Sequence, residues 1–274
     1  MLTGRGITGH TRIFGLVGHP VRHSLSPEMH TALFQKLGLD AVYVAFDVDP
    51  ARADRVADAI RTLDLVGVNL TVPFKERVLP HLDHLTVAAQ EAGAVNCVIN
   101  LDGHLTGYNT DGAGLVGALD EEHGFVPAGT RVAVLGAGGA GRAAASTLAA
   151  EGATVHLLNR TVARAEAACE RIDATPGPLT ADGFSAPFDL VVNCLGGGAE
   201  TLVEALPIEH LPDSAIWCDV NYWMPNPPRI AACRARGLRV SEGLGMLVHQ
   251  GALSFELFTG HEVDPADLRA AIGS

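Results

Sequence analysis

Cysteine is scarce in this 274-residue chain, and the few cysteines are not spaced as pairs. There are five, an odd number, and none stands in a Cys-x-x-Cys pattern. This argues against a disulfide framework and against a structural zinc site. His81 and His84 lack further ligands in the sequence, so a solvated helix end explains them better than a metal does. We therefore predict no metal and a reducing, cytoplasmic location.

Positive charge is also in short supply. The chain has 19 Lys and Arg against 31 Asp and Glu, a formal net charge of −12. A general nucleic-acid surface needs clustered positive charge, so we predict no nucleic-acid partner. The start of the chain has no apolar signal core, and the most hydrophobic late stretch is interrupted by His249, Gln250 and Glu256. We predict no membrane span.

Lysine is nearly absent, with only Lys36 and Lys75 in the chain. Since arginine supplies generic positive charge elsewhere, each lysine raises the question of whether an ammonium group is specifically needed there. Codon bias is the alternative explanation for the rarity.

A glycine-rich run follows a short apolar segment in the middle of the chain. Val132–Leu135 leads into Gly136-Ala137-Gly138-Gly139-Ala140-Gly141, and an alanine-rich segment comes next. This order predicts a strand, a tight turn and a helix. Glycines let backbone N–H groups at a helix start approach a diphosphate, and the helix N-terminus carries partial positive charge. A tight strand-to-helix connection without a ligand is the alternative, since a glycine pattern alone is weak.

The segment after the next predicted strand distinguishes between dinucleotides. An acid about 20 residues after the glycines would hold the ribose 2′-hydroxyl of NAD. This chain instead has Asn159-Arg160-Thr161, followed by Arg164. Two arginines without a carboxylate suit a 2′-phosphate, so we favour NADP over NAD. The alternative is that the arginines only solvate a helix start.

Polar residues interrupt apolar strands in the N-terminal half. Residues 67–75 alternate strictly, so Asn69 and Thr71 are predicted on one face of a strand that ends at Lys75, with Val68, Leu70 and Val72 on the other. Asn96 lies in a similar apolar strand. A solvated strand face is the alternative to a binding face.

Three further polar residues lie at or on predicted helices. Ser26 is a plausible N-cap because Pro27 follows it. Asp111 is predicted at the start of a helix, where an N-cap carboxylate is the purely structural alternative. Gln250 shares a helix face with apolar residues, so it either reaches solvent or contacts a ligand.

Strands and helices alternate along the whole chain, and a nucleotide-binding unit begins near Arg131. With 274 residues and 47% hydrophobic content, two domains are the natural expectation. We predict an α/β protein with two α/β domains, an N-terminal substrate domain and a Rossmann-type NADP-binding domain, with a cleft between them where ligands meet. The predicted boundaries are 1–112 plus about 247–274 for the first domain and 113–246 for the second.

Taken together, these segments resemble the shikimate dehydrogenase family. The matching stretches cover nearly the whole chain in the family's order, and their joint occurrence is highly specific. They are Ser24-x-Ser26-Pro27, Asn69-Leu70-Thr71-Val72-Pro73-Phe74-Lys75, Gly93-Ala94-Val95-Asn96, Asn109-Thr110-Asp111-Gly112, the glycine turn, Asn159-Arg160-Thr161, and Gly243-Leu244-Gly245-Met246-Leu247-Val248-x-Gln250.

The resemblance implies reversible NADPH-dependent reduction of 3-dehydroshikimate to shikimate, in aromatic amino acid biosynthesis. It implies that Lys75 and Asp111 form the catalytic pair and that Ser24 and Ser26 hold the substrate carboxylate. Two larger sets follow from the same resemblance. The residues expected around the rest of the substrate are Asn69, Thr71, Asn96, Tyr222, Gln250 and Asp111. Those expected at the cofactor are Gly136, Ala137, Gly138, Gly139, Ala140, Asn159, Arg160, Thr161, Arg164 and Gly243.

Two segments depart from the family pattern. Trp223-Met224 before Pro225 is one residue longer than in the family, and the other departure follows Asn193. The family has Asn-Ala-Thr or Asn-Ala-Ser after the strand near residue 190, whereas this chain has Asn193-Cys194-Leu195 before three glycines. The alternatives to an NADP-linked shikimate dehydrogenase are a quinate or quinate/shikimate dehydrogenase using NAD and a non-catalytic sensor of the same ligands. We expect a monomer or a homodimer.

Overall fold

A computed structural model describes residues 6–224, 227 and 229–273. These residues divide into two compact units. The first takes the residues up to Gln90, Ala94–Thr110, and those from Val248 onward. The second takes Glu91–Gly93 and the described residues of Asp111–Leu247. Over the part of the chain that is described, no helix has the length and apolar character to cross a membrane.

The first unit contains a six-stranded mixed sheet. Its strands are β1 (Arg12–Gly18), β2 (Ala41–Asp47), β3 (Gly67–Leu70), β4 (His84–Leu85), β5 (Cys97–Leu101) and β6 (His104–Tyr108). They lie in the order β2-β1-β3-β5-β6-β4, and β5 runs antiparallel to both neighbours while the other pairs are parallel. A turn at Asp102-Gly103 joins β5 to β6, with φ of 52° and 85° at the two residues. Both residues thus have the positive φ that a two-residue hairpin turn requires.

The second unit contains a six-stranded sheet in which every pair is parallel. Its strands are β7 (Arg131–Leu135), β8 (Thr154–Asn159), β9 (Ala174–Pro178), β10 (Leu190–Asn193), β11 (Ile216–Asp219) and β12 (Arg239–Glu242). Their order is β12-β11-β10-β7-β8-β9. This is the doubly wound order of dinucleotide-binding domains, and it reverses direction between β7 and β10.

The helices cover these sheets. In chain order they are α1 (Ser26–Lys36), α2 (Val56–Thr62), α3 (Phe74–Arg77), α4 (Val87–Ala92), α5 (Asp111–His123), α6 (Gly139–Ala150), α7 (Val162–Cys169), α8 (Glu200–Glu204), α9 (Ile230–Ala235), α10 (Leu244–Thr259) and α11 (Pro265–Ala271). Helix α1 buries Met29, Leu33 and their neighbours at helical spacing. Helix α11 begins where the Asp264 carboxylate accepts the Ala266 N–H at 2.8 Å.

Each unit has its own apolar core. In the first, Val68 and Leu70 of β3 pack with Ile60 of α2 and Phe74 of α3. In the second, the two faces of the parallel sheet pack against separate clusters, one including Val132 and Leu148 and the other including Leu135 and Trp217. The predicted α/β class is therefore confirmed.

Two predictions about local structure in the first unit are wrong. Ser26 is the first residue of α1 and not its N-cap; Leu25 takes that position, without a side-chain cap. The strand predicted to reach Lys75 ends at Leu70, Val72 is 67% exposed, and Lys75 lies in α3. The physical reason is Pro73, which has no N–H for the ladder and cannot continue an interior strand.

Candidate active site

The glycine turn of the second unit uses its first and last glycines for backbone geometry. Gly136 follows β7 with φ of +105°, a conformation that favours glycine, and its N–H donates to the Leu158 carbonyl at 2.8 Å. A Cβ on Gly141 would lie 1.8 Å from the Gly136 carbonyl oxygen. Helix α6 can therefore approach the end of β7 only because residue 141 has no side chain.

The second glycine has a different property. Gly138 is the N-cap of α6 and has an extended backbone, with φ of −83° and ψ of −178°. A Cβ there would meet no heavy atom within 4 Å, and no side chain caps the helix. The predicted cofactor residues Gly139 and Ala140 are the first two of α6. The start of α6 thus has no side-chain cap and has free space beside its N-cap among the described residues, which leaves room for a diphosphate.

Asn159 connects this turn to the segment that follows β8. Its side chain is buried; Oδ1 accepts the Ala137 N–H at 3.1 Å, and Nδ2 donates to the Thr161 carbonyl at 2.8 Å. Arg160 and Arg164 are exposed just beyond it. The residue at the end of β8 is thus an amide that holds two loops, and two guanidinium groups stand beside it where a ribose phosphate could be bound.

A buried polar network lies at the ends of β10 and β11, and the sequence analysis did not identify it. The Asp219 carboxylate accepts the Asn193 Nδ2–H at 2.7 Å on Oδ2, and it accepts the N–H and the Nδ2–H of Asn221 at 2.9 and 2.8 Å on Oδ1. Burial raises the pKa of Asp219, and these hydrogen bonds oppose that shift. Tyr222, the next residue, packs edge-on against Trp223 with ring centroids 5.3 Å apart.

Gly243 precedes α10 and is buried. A Cβ on this residue would lie 2.3 Å from the Val220 carbonyl oxygen, so the backbone of residue 243 passes directly over the end of β11. Close packing against β11 is therefore enough to explain why residue 243 is a glycine.

In the first unit, the predicted substrate residue Asn69 is fully engaged by neighbours. Its Oδ1 accepts the Tyr43 hydroxyl at 2.7 Å, and its Nδ2 donates to the Asn96 carbonyl at 3.0 Å and to the Ser254 Oγ at 2.9 Å. The side chain is 6% exposed. The orientation of this amide is therefore set before any ligand binds.

Asn96 and Gln250, also predicted substrate residues, belong to the same network. Asn96 Nδ2 donates to Thr110 Oγ1 at 2.8 Å and to Gln250 Oε1 at 3.3 Å, and its Oδ1 accepts the Thr110 N–H at 2.8 Å. Thr110 Oγ1 lies 3.2 Å from Ser254 Oγ. The structure thus brings Asn69, Asn96 and Gln250 together through two hydroxyl groups.

The remaining predicted residues of the first unit lie at element ends. Ser24 Oγ accepts the Ser26 N–H at 3.3 Å, so the two serines are adjacent at the start of α1. Thr71 follows β3, its N–H donates to the Val17 carbonyl at 2.9 Å, and Lys75 is one turn further along in α3. The Lys75 carbonyl accepts the Val95 N–H at 2.8 Å, which fixes this backbone beside the segment that carries Asn96.

Asp111, the other predicted catalytic residue, is the first residue of α5, in the second unit. Its predicted position at a helix start is confirmed, and it is 3% exposed. A carboxylate at this position interacts favourably with the positive end of the helix dipole.

Sequence reasoning missed Tyr43, Ser254 and His30. His30 is buried and stacks on Tyr43 with ring centroids 4.4 Å apart, while its Nδ1 has no hydrogen-bond partner among the residues that the structure describes. Burial lowers the pKa of His30 to about 3, so the ring is neutral. The one available signal was the position of Ser254 four residues after Gln250, on the same face of α10.

Among residues 6–224, 227 and 229–273, no group of three or more His, Cys, Asp or Glu side chains could hold a metal ion.

The all-parallel doubly wound sheet, the uncapped glycine turn and the arginines after β8 define a dinucleotide-binding α/β protein. Family descriptions match three segments: the shikimate dehydrogenase substrate binding domain at 16–98, shikimate / quinate 5-dehydrogenase at 122–197, and the shikimate 5′-dehydrogenase C-terminal domain at 243–272. The chain belongs to the shikimate dehydrogenase family, as its motifs predicted.

Individual relatives match over nearly the whole chain. The Shikimate dehydrogenase (NADP(+)) of Geobacter metallireducens is 42% identical, covering 97% of both chains, and that of Alkaliphilus metalliredigens is 41% identical, covering 94% of both. Among solved structures, Thermus thermophilus shikimate 5-dehydrogenase in complex with NADP(H) and shikimate is 39% identical with a TM-score of 0.80, covering 95% of this chain and 98% of that one.

Proposed function

We propose that this chain catalyses the reversible NADPH-dependent reduction of 3-dehydroshikimate to shikimate, a step of aromatic amino acid biosynthesis. The observation that carries the proposal is the buried network of Asn69, Asn96 and Gln250. A cyclic triol needs a ring of short, fixed donors and acceptors, and amide side chains supply both. The sequence relatives bear the name of this activity.

The substrate carboxylate would bind at the start of α1. Ser24 and Ser26 offer hydroxyl donors next to the positive end of a helix, which suits an anion. Asn69, Thr71 and Asn96 would then surround the hydroxyl groups of the ring. Gln250 would contact the same hydroxyls, and Tyr222 is a further residue proposed to bind substrate.

Lys75 and Asp111 would handle the proton. The cofactor supplies a hydride to the carbonyl carbon, which leaves negative charge on the oxygen. A lysine ammonium beside that oxygen stabilises the charge and donates a proton. Asp111 is proposed as the other member of the catalytic pair, and its carboxylate would accept a hydrogen bond from a substrate hydroxyl.

NADP fits the residues of the second unit. The diphosphate would bind at Gly136–Ala140, where the open position of Gly138 leaves room for it. Arg160 and Arg164 would hold the 2′-phosphate, with Asn159 and Thr161 shaping that loop and Gly243 completing the site. The finer domain assignment is part of the same proposal: 1–112 with about 247–274 bind substrate, and 113–246 bind NADP.

A two-by-two rate assay tests the proposal. Turnover is measured with NADP or NAD and with shikimate or quinate. We expect the fastest reaction with NADP and shikimate, because the guanidinium groups after β8 favour the 2′-phosphate. Faster turnover with NAD and quinate would overturn the assignment of NADP as cofactor and shikimate as substrate.

Lys75→Ala tests the proton donor. General acid catalysis contributes about 10²- to 10⁴-fold, so kcat should fall by that order while KM changes little. Lys36→Ala is the matched control, because it removes the only other lysine, whose Nζ pairs with Asp267 on the surface at 2.5 Å. A change in KM alone for Lys75→Ala would contradict the assigned role and favour a binding protein.

Arg160→Ala tests cofactor choice. Removing a guanidinium that binds the 2′-phosphate should weaken NADPH about tenfold or more and leave NADH unchanged. The NADH value is the internal control. An unchanged ratio of NADPH to NADH affinity would show that Arg160 does not contact the phosphate.

We also propose that the protein acts in the cytoplasm as a monomer or homodimer, with small molecules and not nucleic acids as its partners. None of the five cysteines, all of them in the described part of the chain, forms a disulfide, which is compatible with a reducing compartment. Light scattering on the purified protein would distinguish the two oligomeric states, and a larger assembly would contradict both.

A further inference from the structure

The loop after β10 is held by two amides, and both amides depend on one carboxylate. Leu195 donates its N–H to Asn193 Oδ1 at 3.2 Å, and its carbonyl accepts the Asn221 Nδ2–H at 2.8 Å. Asn193 and Asn221 in turn donate to opposite oxygens of Asp219. The carboxylate is 1% exposed, so water does not substitute for these bonds. Leu195 is therefore fixed at both of its backbone polar groups.

Residue 219 must accept hydrogen bonds from both Asn193 and Asn221 to keep these contacts to Leu195. An ionised carboxylate accepts on both oxygens, whereas an amide at position 219 would present one N–H₂ group. That group would face either Asn193 Nδ2 or the Asn221 donors. If Asn193 then rotated its amide to compensate, its N–H₂ would point at the Leu195 N–H. In both cases a donor would be left without a partner, and an amide of Asn193 or Asn221 that rotated to compensate would lose its contact to Leu195.

The position of Leu195 gives this network a function. Strands β7 and β10 are neighbours, with Asn193 in register with Leu135, and the strand order reverses between them. Dinucleotides bind at that reversal, across the carboxyl ends of the strands. The Leu195 side chain packs against the first glycine of the turn, since a Cβ on Gly136 would lie 3.0 Å from Leu195 Cδ2. The adenosine end of the site lies on the other side of β7, after β8.

We propose that Asp219 is a positioning residue for the nicotinamide end of the cofactor site, acting through Asn193 and Asn221 on Leu195. The inference rests on the proposed function, because it assumes that NADPH occupies this crevice. It accounts for the departure of this chain from the family pattern after Asn193. Where threonine or serine is absent, backbone groups of the loop remain to contact the cofactor, and a fixed loop is needed to present them.

The experiment compares two ligands that would both bind at the adenosine end of the site, of which only one would reach the nicotinamide end. NADPH reaches both ends, whereas adenosine 2′,5′-bisphosphate contains only the adenosine and its phosphates. Binding of each is measured by calorimetry for the wild-type protein, Asp219→Asn and Asn221→Ala. Asn221→Ala is included because it removes the bond to the Leu195 carbonyl while leaving the buried charge in place. The matched control is Asp189→Asn, a carboxylate at the opposite end of β10 that accepts the Arg131 N–H at 2.8 Å.

We expect both network variants to bind NADPH about tenfold more weakly and to bind adenosine 2′,5′-bisphosphate with unchanged affinity. Asp189→Asn should alter neither. If the variants lose affinity for both ligands equally, or for neither, Asp219 does not position the nicotinamide end and the inference is wrong. Should Asp219→Asn fail to fold, Asn221→Ala decides between the same outcomes. A wild-type protein that binds NADH but not NADPH would overturn the proposed cofactor, and with it this inference.

Discussion

A single methyl group at position 138 tests where the cofactor diphosphate binds. Gly138 is the N-cap of α6, and Gly138→Ala would place a Cβ where the structure has no heavy atom within 4 Å. Its backbone, with φ of −83° and ψ of −178°, is one that alanine adopts freely. The folded protein therefore has room for the methyl group, whereas the proposed diphosphate, bound against this backbone, would collide with it.

Gly138→Ala should have a much smaller effect on stability than on NADPH affinity. For folding, alanine is a poorer N-cap than glycine by about 0.5 to 1 kcal/mol, and the loss of glycine flexibility in the unfolded chain offsets this by about 0.4 to 1 kcal/mol. The net change in stability should be close to zero. For binding, displacing one charge-assisted hydrogen bond to phosphate costs about 1.5 to 3 kcal/mol, which is about ten- to a hundredfold in affinity.

The assay pairs thermal unfolding without ligand and calorimetric titration with NADPH. Gly9→Ala is the matched control, because it also adds a methyl group in open space but lies in the first unit. Wild-type affinity in Gly138→Ala, within about twofold, would refute the reasoning, since a ligand that tolerates the methyl group does not approach this backbone. A large drop in melting temperature would refute the claim that the space is open.

Three other substitutions test the packing that supports the site. Gly141→Ala puts a Cβ 1.8 Å from the Gly136 carbonyl and should lower the unfolding free energy by about 1 to 3 kcal/mol, measured by urea denaturation; unchanged stability would mean that α6 can move away freely. The pKa of His30 is lowered to about 3, so its contribution to stability is complete above pH 6.5 and is lost as the pH falls towards 3. Between these two pH values, His30→Phe should reduce the slope of the unfolding free energy against pH by about 1.4 kcal/mol per pH unit. An identical slope in the variant would contradict the burial of His30 as a neutral ring. Ser254→Ala leaves Asn69 Nδ2 short of one acceptor and should cost about 1 to 3 kcal/mol of stability and raise KM for shikimate; an unchanged KM would remove Ser254 from the support of the substrate residues.

The features that were predictable from the sequence are those with local causes. The glycine turn, the hairpin at Asp102-Gly103 and the helix that begins at Asp111 each depend on a few consecutive residues whose backbone preferences agree with the fold. The strand predicted through Lys75 failed because alternation alone does not reveal where a ladder ends. In β3 all four residues are buried, so the two faces of the strand are not distinguished by exposure.

The edge strand β9 could not be predicted from the sequence because its residues do not look like those of a strand. Ala174–Pro178 contains two prolines and a glycine and looks like a loop in the sequence. An edge strand tolerates such residues because only one side of it pairs, here with β8. The environment of the segment, and not its composition, decides its structure.

The polar networks could not have been derived from the sequence because their contacts are distant along the chain. Asn69 and Ser254 are separated by 185 positions, and Asn96 and Gln250 by 154. The position of Ser254 on the same helix face as Gln250 places it near the site, but it does not show that Ser254 bonds to Asn69. The residue types of the candidate site were accessible through the family motifs, whereas the groups that orient them required the tertiary structure.

The buried amide of Asn159 has a consequence for the thermodynamics of cofactor binding. Because its two ends tie Ala137 to Thr161, the glycine turn and the loop that carries Arg160 are ordered together when the protein folds. A ligand that arrives later does not have to immobilise either segment, so less conformational entropy is lost on binding. Cutting this link with Asn159→Ala would therefore make the entropy of NADPH binding more unfavourable even if every direct contact to the cofactor were kept.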